Sequence, residues 1–205
     1  MRLLECYFPV VHFACGIAAL QSESLSFEDF RQQILQRFAD AEQACQLIAA
    51  APADIEDATF AMAVWFDEMV LRSTLPFKPQ WRTALLQTHF FNTVIGGEAF
   101  FTRLDNIPEE NTALRRVYLH CLLMGFHGKY HLQDSHELIK RIKDERQSLP
   151  DGWENWPNQL FITPMNHSRL HVQHGVIRGW MRDNHAMVIG VAVNYLVLSA
   201  LLIFY

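Results

Sequence analysis

Residues 186–205 read AMVIGVAVNYLVLSALLIFY, a run without a charged side chain in which Asn194 and Ser199 are the only strongly polar groups besides the tyrosine hydroxyls. No other stretch constrains the chain so firmly. A helix of this length rises roughly 30 Å, the thickness of a bilayer's hydrocarbon core. A core helix of that length shows a polar stripe, and none is visible. The run is therefore expected to be a membrane span, with the anchor at residues 185–205. Arg178 and Arg182 precede it and no charged residue follows, so the positive-inside rule places the preceding chain in the cytoplasm. Trp180 and Tyr205 suit the two interfaces. Asn194, mid-span, is costly in lipid unless it finds a partner; it is the candidate membrane helix contact, with a single tolerated Asn as the alternative. Met1-Arg2 and the apolar stretch after them loosely resemble a signal peptide, but Glu5, Pro9 and His12 interrupt it and favour an amphipathic first helix.

The remainder reads as soluble protein. The chain has 205 residues and a net charge of -5. That is enough length for one real core, and the wrong sign for sequence-independent binding to nucleic acid. Lys140, Arg141, Lys143 and Arg146 form the strongest basic cluster, late in an expected helix where positive charge offsets the dipole. Cys6, Cys15, Cys45 and Cys121 form no C-x-x-C pair and are expected as buried free thiols of a reducing compartment.

Helical periodicity dominates from end to end, and no strand alternation competes with it. The first helix is expected over residues 3–20. Ser26 and Asp29 form an N-cap with an acid three residues on, opening a second helix with Phe27, Phe30, Ile34, Phe38, Ala41, Cys45 and Ile48 on one face. Pro52 opens a third, striped by Ile55, Thr59, Met62, Phe66, Met69 and Val70. Pro76 and Pro79 separate it from a fourth over 81–92, which Gly96-Gly97 break. A short fifth covers 98–104. A sixth, over 111–126, closes on Gly125 and Gly128, and a seventh covers about 134–148. The expected fold is all-α: a cytoplasmic bundle of about seven helices at 1–150, a juxtamembrane linker at 151–184, and one C-terminal transmembrane helix.

The chemistry-bearing residues do not assemble into an enzyme. His127 and His131 have metal spacing, but Gly128 lies between them and no acid completes a motif. His167, His171 and His174, at i, i+4 and i+7, have the spacing of a zinc-binding helix face, but in the linker a solvated or membrane-facing surface is the expected reading. Asp67 and Glu68 are adjacent on a helix and point about 100° apart, so spacing alone makes no catalytic dyad. There is no G-x-S-x-G and no phosphate loop, and no cofactor, metal ligand or catalytic residue is assigned.

Several segments nevertheless line up: Trp65-Phe-Asp-Glu-Met69, Trp81, Phe90-Phe91, Gly97-Glu98-Ala-Phe-Phe101, the Tyr118 helix running to Phe126, and His127-Gly-Lys-Tyr130. Over roughly residues 1–150 this set, with the tail anchor, resembles the DotU/IcmH family, called TssL in type VI secretion. The resemblance implies a non-enzymatic inner-membrane scaffold of a contractile secretion machine. It also implies a homodimer working with an IcmF-like TssM, an outer-membrane lipoprotein TssJ and the baseplate component TssK. Some members carry a periplasmic peptidoglycan-binding domain; with Tyr205 as the last residue, that activity is not carried over. The type IVB relative is the alternative within the family, and a tail-anchored metal-dependent enzyme built on the histidines the alternative outside it. The shared positions are Asp67, Glu68, Trp81, Gly97, Glu98, Phe100, Phe101, Tyr118, Gly125, Gly128, Lys129 and Tyr130. Among them Gly97 is expected at a tight turn, Glu98 near a positive helix end, and Phe100 and Phe101 against the core. Gly125 and Gly128 are expected at positive φ, with Lys129 and Tyr130 on the surface or in a cleft. Asp67 and Glu68 are either bundle-holding acids or a partner-facing acidic patch.

Overall fold

Every described element is helical, as the periodicity demands. The computed structural model describes residues 2–17, 26–130 and 135–150. Among these, nine helical segments follow one another: α1 (Leu3–Cys6), α2 (Phe8–Gly16), α3 (Phe27–Leu47), α4 (Pro52–Arg72), α5 (Lys78–Arg82), α6 (Leu86–Phe91), α7 (Gly96–Asp105), α8 (Thr112–Leu123) and α9 (Ser135–Gln147). No helix among the described residues is long and apolar enough to cross a membrane. The span expected at 185–205, the linker at 151–184 and Asn194 lie outside the described residues.

The excess over about seven helices comes from two splits with physical causes. The expected first helix breaks at buried Tyr7, whose hydroxyl contacts Thr59 Oγ1 at 2.8 Å and bonds to the Ile55 carbonyl at 3.3 Å. Pro9 then sits in the first turn of α2, where a missing N–H is tolerated. The expected fourth helix becomes α5 and α6, with α6 starting afresh at Leu86. Gly96 and Gly97, expected as a break, instead open α7.

Helix α4 is the axle. It packs against α1, α2, α3, α5, α6, α7 and α8. Its expected stripe is accordingly too narrow: from Ala58 to Val70 every side chain except Thr59 and Glu68 is buried, as a helix surrounded by others requires. Rings fill one side of it. Phe30 lies 5.0 Å from Phe77, 5.5 Å from Trp81 and 6.1 Å from Phe66 between centroids. On α3, the Ser26 hydroxyl accepts the Asp29 N–H at 3.1 Å, the cap that the sequence announces. At the start of α8, Asn111 accepts the Leu114 N–H at 3.2 Å and donates to Asp54 at 2.7 Å, which ties α8 to the first turn of α4.

Helix α9 is fastened by charge as well as by Leu138, Ile142 and Leu149. Arg115 on α8 meets Glu145 at 2.9 Å, and Arg141 bridges Glu145 at 2.8 Å and Asp105 at 2.6 Å. Within the basic cluster, Arg141 is thus an internal tie and Arg146 is buried. Cys6, Cys45 and Cys121 are buried free thiols, but Cys15 is exposed: the face of α2 that carries it is turned to solvent.

Helix α3 ends without the glycine such an ending favours. Ala49 stands at φ 53, while the Ala50 N–H reaches the Cys45 carbonyl and the Ala49 N–H the Gln46 carbonyl, the double closure of a Schellman cap. A left-handed alanine costs about 1 kcal/mol. Ala49→Gly is expected to raise stability by about 0.5 kcal/mol, once the greater freedom of glycine in the unfolded chain is subtracted. The urea midpoint checks this, and a lower midpoint would contradict it.

Candidate functional site

The acid pair of α4 sits at the centre of two sets of hydrogen bonds. Asp67 is 1 % exposed. Its Oδ1 accepts the indole N–H of Trp81 and the backbone N–H of Leu86, and its Oδ2 the backbone N–H of Gln87, each at 2.9 Å. The last two are among the N–H groups a new helix leaves unsatisfied. Asp67 therefore caps α6 from another helix, which is why α6 begins where it does. Gln87 repeats the device one step on: its Oε1 accepts the Gly96 N–H at 2.9 Å, at the first turn of α7. A Cβ on Gly96 would stand 2.4 Å from that oxygen and 2.7 Å from Val64 Cγ2, so glycine is required there.

Glu68 points to the other side. Its Oε1 accepts the His127 N–H at 3.0 Å and its Oε2 the Gly128 N–H at 2.9 Å. Arg72, one turn along α4, meets Glu68 at 3.2 Å and donates to the Gly125 carbonyl at 2.9 Å. Arg72 Nη1 also lies 2.6 Å from His127 Nδ1. The same imidazole nitrogen lies 3.4 Å from Glu68 Oε1, so it is engaged within this cluster. His131, the other half of that spacing, lies outside the described residues, as do His167, His171 and His174. Among the described residues no group of three or more His, Cys, Asp or Glu side chains could hold a metal ion.

The two acids differ in their protons. Burial pushes the Asp67 carboxyl from 3.8 up to about 6, against the pull of its N–H donors. Burial pushes Glu68 up as well, but the His127 side chain and the backbone N–H groups of Gly128 and His127 outweigh it and hold the carboxyl below its usual range.

The loop that Glu68 holds closes a second ring cluster. Gly125 and Gly128 both have positive φ, 89° and 55°. The Gly125 N–H reaches the Leu122 carbonyl and the Phe126 N–H the Cys121 carbonyl, so α8 stops at Leu123 rather than near Phe126. Phe100 packs on Phe126 at 4.4 Å and on Tyr118 at 4.7 Å, and Phe101 meets Tyr130 edge-on at 4.9 Å. The Tyr118 hydroxyl is buried without a hydrogen-bond partner among the described residues. Exposed Lys129 carries its ammonium 5.2 Å from the Phe101 ring centre. Glu98 is exposed in the first turn of α7. Gly97 is no turn residue. It is a helical glycine whose missing Cβ admits the backbone of Gly128, which that atom would meet at 3.2 Å.

The structure thus joins Asp67 to Trp81, and Glu68 to Gly128 directly and to Gly125 through Arg72. It also joins Gly97 to Gly128, and Phe100 and Phe101 to Tyr118 and Tyr130. It adds Arg72, Gln87, Gly96 and His127. Arg72 left a trace in the sequence, four residues after Glu68, and His127 and Gly96 were visible there only as a metal spacing and a helix break; the bond between Gln87 and Gly96 crosses a turn that no spacing rule marks.

At neutral pH, Asp67→Asn is expected to destabilise by about 3 kcal/mol, because an amide places a donor against N–H donors. The pH profiles should separate the acids. Between 3.8 and about 6 the native state keeps a proton on Asp67 that the unfolded chain has released, so this group makes stability fall as pH rises, fully so above about 6. Glu68 contributes stability that is present above 4.5 and lost as pH falls through its lowered native value. Urea midpoints of the parent, Asp67→Asn and Glu68→Gln across that range test both signs; parallel profiles would refute the assignment. Gly128→Ala places a Cβ 2.8 Å from the Gly97 carbonyl oxygen at positive φ. It is expected to cost roughly 2 kcal/mol or more in the same assay.

Comparison with known proteins places this architecture. No curated protein sequence matches the chain. Among solved structures, the cytoplasmic domain of TssL from Acinetobacter baumannii superposes with a TM-score of 0.66 at 23% identity, covering 72% of this chain and 96% of that one. TssL from Vibrio cholerae superposes with a TM-score of 0.61 at 23% identity, covering 72% and 94%. At that identity the likeness establishes the fold. The family model of the type VI secretion system protein DotU matches residues 2–205, and the chain belongs to that family.

Proposed function

We propose that the chain is an inner-membrane scaffold component of a type VI secretion system, linking an IcmF-like and lipoprotein trans-envelope complex to the cytoplasmic baseplate. The family match over residues 2–205 carries this reading. The geometry agrees with it: Asp67 and Glu68 bind backbone N–H groups of their own fold, as suits a part that holds shape rather than one that turns over substrate. In this reading residues 1–150 form the cytoplasmic bundle, 151–184 a juxtamembrane linker and 185–205 a single transmembrane anchor in the bacterial inner membrane. Asn194 then contributes a contact between spans of a homodimer. The partners are TssM, TssJ within the same complex, and TssK.

Detergent extraction of the tagged chain from its native membranes, followed by mass spectrometry of what co-purifies, tests the proposal. Recovery of an IcmF-like protein with TssJ and TssK is the expected result. Recovery of type IVB components instead would move the chain to the sister machine, and recovery of the chain alone would remove the scaffold reading.

A further inference from the structure

A cavity of about 520 Å³ opens between α1, the start of α2, the end of α3 and one face of α8. Neither Asp67 nor Glu68 lines it. Leu4, Phe8 and Ile48 make its walls chiefly apolar. Phe8 is 48% exposed, and Leu4 and Ile48 are only half-buried. Arg2 and Arg116 stand in the same walls. The two acids beside them already serve the fold: Glu5 accepts the Arg2 N–H at 3.0 Å, and Asp54 accepts from Asn111 at 2.7 Å. A group that suits such a place joins an apolar, ring-sized body to a carboxylate.

The chain itself delivers one. Helix α9 runs out beside this wall, where Glu145 meets Arg115, the residue before Arg116, and Leu149 is buried. The next six residues, 151–156, read DGWENW, two tryptophans interleaved with two acids. Four extended residues, the interval from Leu149 to Trp153, reach roughly 14 Å. An occupant tethered this closely is present at an effective concentration of about millimolar. A ring or two then suffices where a free partner would need a far larger contact. We infer that residues 151–156 fold back on the bundle and close this cavity, with Trp153 against Leu4, Phe8 and Ile48 and Glu154 paired with Arg116. The indole removes Phe8 from water, and the carboxylate fixes the register of the segment. The inference concerns the chain's packing on itself and not the machine it serves, so a failed co-purification leaves it standing.

The test places photoreactive p-benzoylphenylalanine at Ala113, an exposed residue of the cavity wall, in the full-length chain in intact cells. After irradiation, peptide mass spectrometry is expected to find an adduct within one chain, between position 113 and residues 151–156. Its yield is expected to fall at least fivefold in Trp153→Ala and in Arg116→Glu, and Glu154→Arg added to Arg116→Glu is expected to restore it. The same probe at Val94, 76% exposed between α6 and α7, is expected to give no adduct with that segment. If Arg116→Glu lowers the thermal midpoint, Trp153→Ala decides alone. An adduct of dimer mass assigns the cavity to a second copy, and an adduct with another protein assigns it to a partner; either overturns the inference. So does an adduct elsewhere in the chain, indifference to Trp153→Ala, or a folded charge-swapped chain whose yield stays low.

Discussion

Removing a carboxylate from water is tolerable only where donors replace the lost solvent, and at Asp67 they come from three places along the chain: the Trp81 indole and the backbone N–H groups of Leu86 and Gln87. This one side chain settles where the stretch after α5 turns and where α6 begins. It holds the Trp81 ring against Phe30 and Phe66. Because Gln87 is pinned by its backbone, its amide is positioned to cap Gly96, so the placement of α7 also descends from Asp67. A run of short helices, each too brief to be stable alone, is ordered from the central helix outward.

Glu68 plays the complementary part at the opposite face. Its two oxygens hold consecutive N–H groups of a loop whose glycines, at positive φ, no helix could absorb. That loop sets Phe126 on Phe100 and brings the Gly128 backbone against Gly97. The neighbouring acids thus organise different halves of the bundle, and the hundred-degree turn between adjacent helical positions is what permits it. The family motifs are scattered in sequence because they are the two ends of these ties.

The long elements were legible because they bury a face at constant period. Ser26 and Pro52 mark the starts of α3 and α4 by local chemistry alone. The short helices were not, because their boundaries are set from a distance. Nothing around Leu86 announces a helix start; the acceptor stands nineteen positions earlier, at Asp67. Gly96-Gly97 read as a break because glycine lowers helix propensity, while the fold uses its small size for contact with Gln87 and Gly128. The choice between internal tie and partner-facing patch for Asp67 and Glu68 depends on which way each side chain points from a helix that is buried nearly all round. Periodicity blurs on such a helix.

Helix α9 is the last described element before residue 151, and its attachment has a mechanical meaning. It is held to α8 and to the end of α7 by Arg115, Glu145, Arg141 and Asp105, with Glu145 itself buried beside Leu138 and Ile142. A pull transmitted through residue 150 loads this helix first. Arg115 and Glu145 are only 12% and 8% exposed, so salt screens this pair little and breaking it leaves a charge unpaired away from water. The end of the bundle is thus locked by a buried charge pair rather than hinged on surface ones.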